Sequence, residues 1–187
     1  PDLERKSLYE LAEKELMDLY LNQDKAGRLY DSFEEVFRKL CEEDLTAGRE
    51  SLWEIPFSDG RGRMAYTFAI KHQAPDQYTD LAQGGQVGPT PHLFYDYDVK
   101  DMRRDVTCVP YNWSSNNPAV QELSKLNKWN FGKYRFEWMK RHVTSSSDDG
   151  LNKQYMRFAE VILMLAEVKN ELYGPAEAAP YLAMLRT

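Results

Sequence analysis

The chain has 187 residues, of which 42% are hydrophobic and 29% are charged, and its net charge is −6. This balance is typical of a globular protein with an ordinary core, and the scattered Lys and Arg residues argue against a nucleic-acid-binding surface. No stretch reaches the ~18 consecutive apolar residues that a membrane-spanning helix needs. The 12 Tyr and 4 Trp residues favour a protein with aromatic side chains to spare beyond its core.

The first fifty residues predict two helices joined by a short polar link. Apolar residues recur at helical spacing over residues 3–22, and Ser32 with Glu35 forms a capping box before a second amphipathic segment that ends near Gly48. Residues 1–50 therefore predict an antiparallel helical hairpin of tetratricopeptide type. One hairpin does not by itself establish a repeat.

The middle of the chain, residues 51–150, is irregular and rich in aromatic residues. Residues 71–93 carry several Gly and Pro residues without a periodic pattern, which is typical of a functional or disordered segment. Alternating apolar residues predict strands, and one short helix is expected among them: strands 52–57, 64–70, 106–113 and 133–138, helix 119–126. The patterns also predict that four aromatic side chains are buried: Tyr20, Trp53, Trp138 and Tyr155.

The last part, residues 151–187, predicts a second helical hairpin. Residues 152–173 carry two apolar stripes and one narrow line of charge, so this helix is expected to pack between neighbours. Gly174 ends it and Pro175 begins the next helix. We predict a single, mainly α domain over residues 1–187, in which two hairpins pack an irregular region with a few short strands. Because the chain opens without Met and stops inside a helical pattern, we interpret it as a fragment of a longer protein.

Motifs for metal binding or nucleophilic catalysis are missing from the sequence. The three histidines, His72, His92 and His142, stand 20 and 50 residues apart, which is not a metal-ligand spacing. Cys41 and Cys108 form no metal or redox motif, and one disulfide or two buried thiols remain alternatives. No nucleophile elbow and no phosphate-binding loop occur. We predict no metal, no cofactor and no catalytic residue.

The charged residues of the segment 152–173 allow two interpretations. Glu160 and Glu167 lie two helical turns apart, ~10 Å, which is close to the ~5–10 Å separation of the two carboxyl groups in a glycosidase. Arg157, however, precedes Glu160 by three residues, the spacing of a helical ion pair. We favour structural roles throughout, and assign them to Arg157, Glu160, Glu167, Asp101 and Arg103.

Three polar segments have a composition suited to sugar recognition. Sugar rings present a flat C–H face and a hydroxyl edge, which exposed Tyr or Trp rings and nearby amides or carboxylates bind. Residues 95–98, 111–117 and 128–130 combine these side chains on segments that read as loops. Packing beneath the loop is the alternative for each ring. The carbohydrate-binding candidates are Tyr95, Tyr97, Tyr111, Asn112, Trp113, Asn116 and Trp129.

One helix carries a resemblance to a known family. The string from Arg157 to Glu167, RFAEVILMLAE, resembles the R-[YF]-A-[ED]-V-x-L-x-x-A-E helix of the SusD/RagB outer-membrane lipoproteins. The resemblance covers residues 50–187 well and residues 1–49 loosely. Three weaker marks appear in the family's order: D-x-R at 101–103, K-Y-R at 133–135, and a helix ending in Leu185-Arg186.

The resemblance implies a SusD-like α/α superhelix and a lipoprotein on the outer face of a Bacteroidetes-type outer membrane. Such proteins bind an oligosaccharide or another nutrient without catalysis and pass it to a SusC-like TonB-dependent transporter. In that family this helix is scaffold and the ligand-binding residues vary. The chain contains no lipidated cysteine, so the lipid anchor is expected from kinship alone.

Two other functions stay open at this point. A tetratricopeptide-type protein-interaction adaptor predicts further repeats of ~34 residues upstream. A helical glycoside hydrolase would use Glu160 and Glu167 as its acid and base.

Overall fold

The structure, a computed structural model, describes residues 2–44, 50–58 and 60–186. Its helices are α1 (Asp2–Leu21), α2 (Gln23–Ala26), α3 (Phe33–Cys41), α4 (Met64–Phe68), α5 (Pro91–Asp96), α6 (Arg103–Thr107), α7 (Phe158–Tyr173) and α8 (Pro175–Met184). Its strands are β1 (Ser51–Ile55), β2 (Cys108–Val109), β3 (Tyr111–Trp113), β4 (Gln121–Leu123), β5 (Asn130–Phe131) and β6 (Lys153–Arg157). Two single-turn 3-10 helices span Leu126–Lys128 and Phe136–Trp138. This mainly α architecture with small β regions confirms the fold class expected from the sequence. None of the helices in the described ranges combines the length and apolar composition that crossing a lipid bilayer requires.

The described residues divide into two compact units. The first contains residues 2–30, 50–54 and 154–186, and the second contains residues 31–44, 55–58 and 60–153. Helix α1 packs against α7 in the first unit, whereas α3 packs against α6 in the second. That the first two helices form a hairpin stays a prediction. Amphipathic periodicity shows that a helix buries one face, but it does not identify the surface on which that face packs.

The predicted bounds of the first helix and the predicted start of the second agree with the structure. Ser32 caps α3, because its hydroxyl accepts a hydrogen bond from the Glu35 amide at 3.2 Å. The expected end of this helix near Gly48 lies outside the described residues. That the whole chain forms one domain stays a prediction.

The core of the first unit is built around the first turn of α7. Phe158, Val161 and Ile162 are fully buried. Each contributes ~1.5–3 kcal/mol by removing its apolar surface from water. Helix α8 packs along α7 in the same unit. Partly buried side chains from the other elements of the unit close this core: Leu16, Tyr20, Leu29, Leu52, Met156, Tyr181, Met184 and Leu185.

The segment 152–173 is not helical from its start. Its first residues form β6, which pairs with β1 in a two-stranded sheet. Leu52 and Met156 turn inward to the core. Trp53 and Tyr155 turn outward, with 58% and 57% of their surfaces exposed, so the prediction that both are buried was wrong. The other two aromatic side chains expected inside do pack within their units: Tyr20 and Trp138.

Glu50 ties three segments of the first unit together. Its side chain is 1% exposed. It accepts hydrogen bonds from the Tyr30 amide at 2.8 Å and from Arg157 Nη1 at 2.5 Å. Its carbonyl also accepts from the Phe158 amide at 2.7 Å, at the strand-to-helix junction. Arg157, which the sequence analysis expected to pair with Glu160, thus forms a partly buried ion pair with Glu50.

The second unit contains two further small sheets. Strands β2 and β5 pair antiparallel, as do β3 and β4, where Tyr111 lies opposite Leu123. The helix predicted over 119–126 was wrong, because its residues supply β4 as the partner of β3. The predicted strand over 133–138 is reduced to an isolated bridge at Tyr134 and a 3-10 helix. The core of this unit contains Ile70, Val109, Trp113 and Ala119.

The strand predicted over residues 64–70 is helix α4 instead. A carboxylate from far along the chain caps this helix. Asp149 is buried, and its Oδ2 accepts from the amides of Ala65 and Tyr66 at 3.1 and 3.3 Å. Burial raises the pKa of this carboxyl, although the donated N–H bonds oppose the rise. A cap supplied from a distant loop leaves no mark in the local sequence.

Cys41 and Cys108 are both buried and free of a disulfide. Burial raises the pKa of the Cys41 thiol to about 12. The alternatives left open by the sequence are settled in favour of two buried thiols.

Candidate functional site

Buried polar contacts order the Gly- and Pro-rich stretch that follows α4. His72 Nδ1 lies 2.6 Å from Asp76 Oδ2, and both side chains are closed to solvent. Asp76 Oδ1 also accepts from the amides of Tyr78 and Thr79, at 2.8 and 3.3 Å. Burial holds the pKa of His72 below its usual range, and the hydrogen bond to Asp76 opposes this shift. The segment expected to be functional or disordered is thus held by its own side chains.

We expect acid to destabilise the protein through His72. Below pH ~6.5 the unfolded chain takes up a proton that the buried ring resists, so the stability falls as pH drops toward the folded-state pKa. The slope is at most ~1.4 kcal/mol per pH unit. His72→Asn keeps a donor toward Asp76 but does not titrate. Urea unfolding at pH 7 and pH 5 should therefore show a smaller loss for this variant.

The exposed His92 provides the control. His92→Asn should lose as much stability on acidification as the unsubstituted protein, since its side chain stays in water on folding. An equal loss in His72→Asn would contradict the assignment of the pH dependence to the buried ring.

The candidates Tyr111, Asn112 and Trp113 form strand β3 rather than an open loop. Trp113 is 8% exposed and stacks on His72, with ring centroids 5.9 Å apart. The Trp113 ring therefore cannot present the open face that sugar stacking needs, and the expectation for it fails on burial. Trp113 is buried because β3 turns this residue toward the core, and the sequence alone does not show which residues of a strand face the core.

Tyr111 and Asn112 are engaged within the unit. The Tyr111 hydroxyl donates to Glu137 Oε1 at 3.4 Å, and burial raises the pKa of Tyr111 to about 12. Burial also raises the pKa of Glu137. Asn112 Oδ1 accepts from the Asn130 amide group at 2.9 Å, which also donates to the Tyr111 carbonyl at 2.7 Å. Asn116, in contrast, is exposed in the turn after β3.

Two other candidates, Tyr95 and Trp129, come together. Phe94 of α5 contacts both, with ring centroids 5.4 Å from Tyr95 and 4.8 Å from Trp129. The Arg104 guanidinium lies 4.7 Å from the centre of the Phe94 ring and pairs with Asp105. Tyr95 is 69% exposed, and Trp129 is half-buried. We call Phe94, Tyr95, Trp129 and Arg104 the aromatic cluster.

The backbone holds Trp129 in place. A Cβ atom at Gly88 would lie 2.0 Å from the Trp129 carbonyl oxygen, so only glycine permits this close approach. Trp129 directly precedes β5, whose pairing with β2 fixes the next residue. The sequence analysis missed Phe94 and Arg104. Phe94 could have been found because it is adjacent to Tyr95 in the sequence. Arg104 has no local sequence signal.

The remaining assigned residues lie outside the aromatic cluster. Tyr97 is half-buried. Arg103 pairs with Asp101 at 2.5 Å, and the Asp101 carboxylate also accepts from the Arg103 amide at 3.0 Å. Glu160 and Glu167 are exposed on α7, and within the described residues neither forms an ion pair. Over the same described ranges, no group of three or more His, Cys, Asp or Glu side chains is placed to hold a metal ion.

The sequence matches the model of a known protein family over most of its length. The SusD family model, SusD_RagB, matches residues 49–187. SusD-like protein P2 of Formosa agariphila is 29% identical over 167 residues, covering 80% of this chain and 32% of that protein. The chain therefore spans about a third of the length of this curated relative.

Solved structures share the fold at low identity. A SusD homolog from Bacteroides thetaiotaomicron superposes with a TM-score of 0.66 at 20% identity, over 94% of this chain and 38% of that one. Surface glycan-binding protein A from the same organism, in complex with laminarihexaose, gives a TM-score of 0.65 at 16% identity, over 98% and 43% of the two chains. The family model alone covers well over half of the sequence, and this chain belongs to the SusD family.

Proposed function

We propose that this chain is part of a surface protein that binds oligosaccharides without catalysis. The observation that carries the proposal is the aromatic cluster, in which Tyr95 is largely exposed and Trp129 is held against Phe94. Exposed aromatic rings stack on the apolar C–H face of a sugar, and a glycan-binding protein of the same fold has been solved with laminarihexaose.

The aromatic cluster has the polar surroundings that sugar hydroxyls require. Asp96 follows Tyr95 at the end of α5, and Asn127 and Lys128 precede Trp129 on the 3-10 helix; all three are exposed. Carboxylate, amide and ammonium groups together supply both acceptors and donors. Arg104 stacks on Phe94 and stiffens the cluster without needing to touch the ligand.

Binding without catalysis agrees with where the carboxylates lie. The pair considered for glycoside hydrolysis, Glu160 and Glu167, belongs to the first unit and is exposed along one helix. Hydrolysis needs an acid and a base on opposite sides of one bound sugar, and this arrangement does not favour it.

Family membership supports the cellular part of the proposal. We place the whole protein on the outer face of the outer membrane, held by a lipid anchor, where it delivers an oligosaccharide or related nutrient to a SusC-like TonB-dependent transporter. The exposed side chains around the aromatic cluster select the ligand.

Calorimetric titration of the intact protein with an oligosaccharide panel that includes laminarihexaose tests the binding. Tyr95→Ala and Trp129→Ala should each weaken binding about tenfold, the equivalent of ~1.4 kcal/mol. Leu123→Ala removes another highly exposed apolar side chain of the second unit and should leave the affinity unchanged. Absence of binding to every oligosaccharide, or equal affinity of all three variants, would refute the proposal.

A further inference from the structure

A second pair of exposed aromatic rings lies in the first unit, on the outer side of the β1–β6 sheet. The rings of Trp53 and Tyr155 contact each other with centroids 4.7 Å apart at an angle of 58°. More than half of each side chain faces solvent. We call these two residues the aromatic pair. It shares no residue with the aromatic cluster.

The strands that carry the aromatic pair pack against the core with their inner face. Leu52 and Met156, the neighbours of the pair along each strand, pack against the core that contains Phe158. The partly buried ion pair between Glu50 and Arg157 joins the start of β1 to the end of β6. The two rings therefore stand on a rigid support, which reduces the entropy lost when a ligand binds.

Core packing does not require the aromatic pair. Side chains of Trp and Tyr bury ~150–250 Å² each when they are inside a protein, and here most of that surface is left in water. Two exposed rings in contact form a larger continuous apolar surface than a single scattered residue does.

The size of the exposed surface indicates the kind of ligand. Two half-exposed rings offer ~200 Å², whereas a stable protein interface needs ~800 Å² on each side. A surface this small matches the face of one sugar ring rather than another protein.

We infer that Trp53 and Tyr155 form a second sugar-stacking platform, which takes the apolar C–H face of a pyranose ring of an oligosaccharide. The inference rests on the proposed function, since it requires that the protein binds glycans. The inference goes beyond the proposed function by assigning a separate site to the first unit. Because the rings meet at 58°, Tyr155 braces the indole of Trp53 and leaves ring surface open for stacking.

Titration with a trisaccharide, with the stoichiometry measured, tests the inference. The intact protein should bind two equivalents. A Tyr95→Ala, Trp129→Ala double variant should retain one equivalent. Adding Trp53→Leu or Tyr155→Leu to it should weaken that remaining site at least tenfold. Leucine keeps apolar bulk on the sheet but removes the ring, and Leu163→Ala serves as the control for an exposed apolar side chain of the same unit.

The outcomes separate the two sites. If Trp53→Leu and Tyr155→Leu change neither stoichiometry nor affinity in either background, the inference is refuted and binding at the aromatic cluster stands. If the double variant binds two equivalents while Trp53→Leu removes one, the aromatic pair is a site and the aromatic cluster is not. If no background binds any trisaccharide or longer oligosaccharide, both are refuted. Unfolding midpoints of the leucine variants close to that of the unsubstituted protein show that the sheet remains folded.

Discussion

Glu50→Ala is expected to lower the free energy of unfolding by about 3 kcal/mol. The carboxylate is buried, and its removal takes away the hydrogen bonds that it accepts from Arg157 Nη1 and from the Tyr30 amide. Hydrogen bonds to a charged group contribute ~1.5–3 kcal/mol each, and the substitution removes both of these at once. Chemical denaturation measures the change.

Glu167→Ala is the matched control for this substitution. It removes the same carboxylate from an exposed position on α7, and we expect a change within ~0.5 kcal/mol. Equal effects of the two substitutions would show that Glu50 does not hold the segments of the first unit together.

Gly88→Ala is expected to weaken glycan binding about tenfold, ~1.4 kcal/mol, although residue 88 carries no side chain for a ligand to touch. The added methyl group would meet the Trp129 carbonyl at 2.0 Å, so the backbone under Trp129 must move. Overpacking of this kind also costs ~1–3 kcal/mol of stability. Titration and denaturation of the same preparation measure both effects.

Gly60→Ala is the control that separates displacement of Trp129 from the general effect of replacing a glycine with alanine. Its φ of +72° makes alanine strained there, but the nearest atom is 4.0 Å from the added methyl group. We expect a loss of stability with unchanged glycan affinity. If Gly88→Ala binds glycans as tightly as the unsubstituted protein, the position of Trp129 does not matter for binding.

Periodicity identified the long elements of this fold, because a helix that buries one face repeats its apolar residues every three or four positions. Helices α1, α7 and α8 were found in this way, and the family resemblance lies within the segment that forms α7. The partner of Arg157 could not be found, since Glu50 lies 107 residues away and the nearer Glu160 has the better local spacing. Helix α4 was missed for the same physical reason: its cap, Asp149, belongs to a distant loop.

Exposure of aromatic residues was the least predictable property. Trp113 and Trp53 both lie in short strands, yet Trp113 is buried and Trp53 is open. The sequence analysis expected Trp53 to be buried and named Trp113 a binding candidate with packing as the alternative. A two-residue period shows alternation but not which face of the strand meets the core. Tyr95 and Trp129 were selected from composition, whereas their common contact with Phe94 depends on tertiary packing between residues 94 and 129.

The tryptophan side chains offer the most direct test of the proposed function, since the four of them differ in exposure. When the ¹⁵N-labelled intact protein is titrated with an oligosaccharide that it binds, the indole N–H signal of Trp129 should shift. That signal is identified by its loss in Trp129→Phe. The indole signals of the buried Trp113 and Trp138 should stay in place. A shift confined to Trp113 or Trp138, or saturation with ligand without any change at Trp129, would contradict glycan binding at the aromatic cluster.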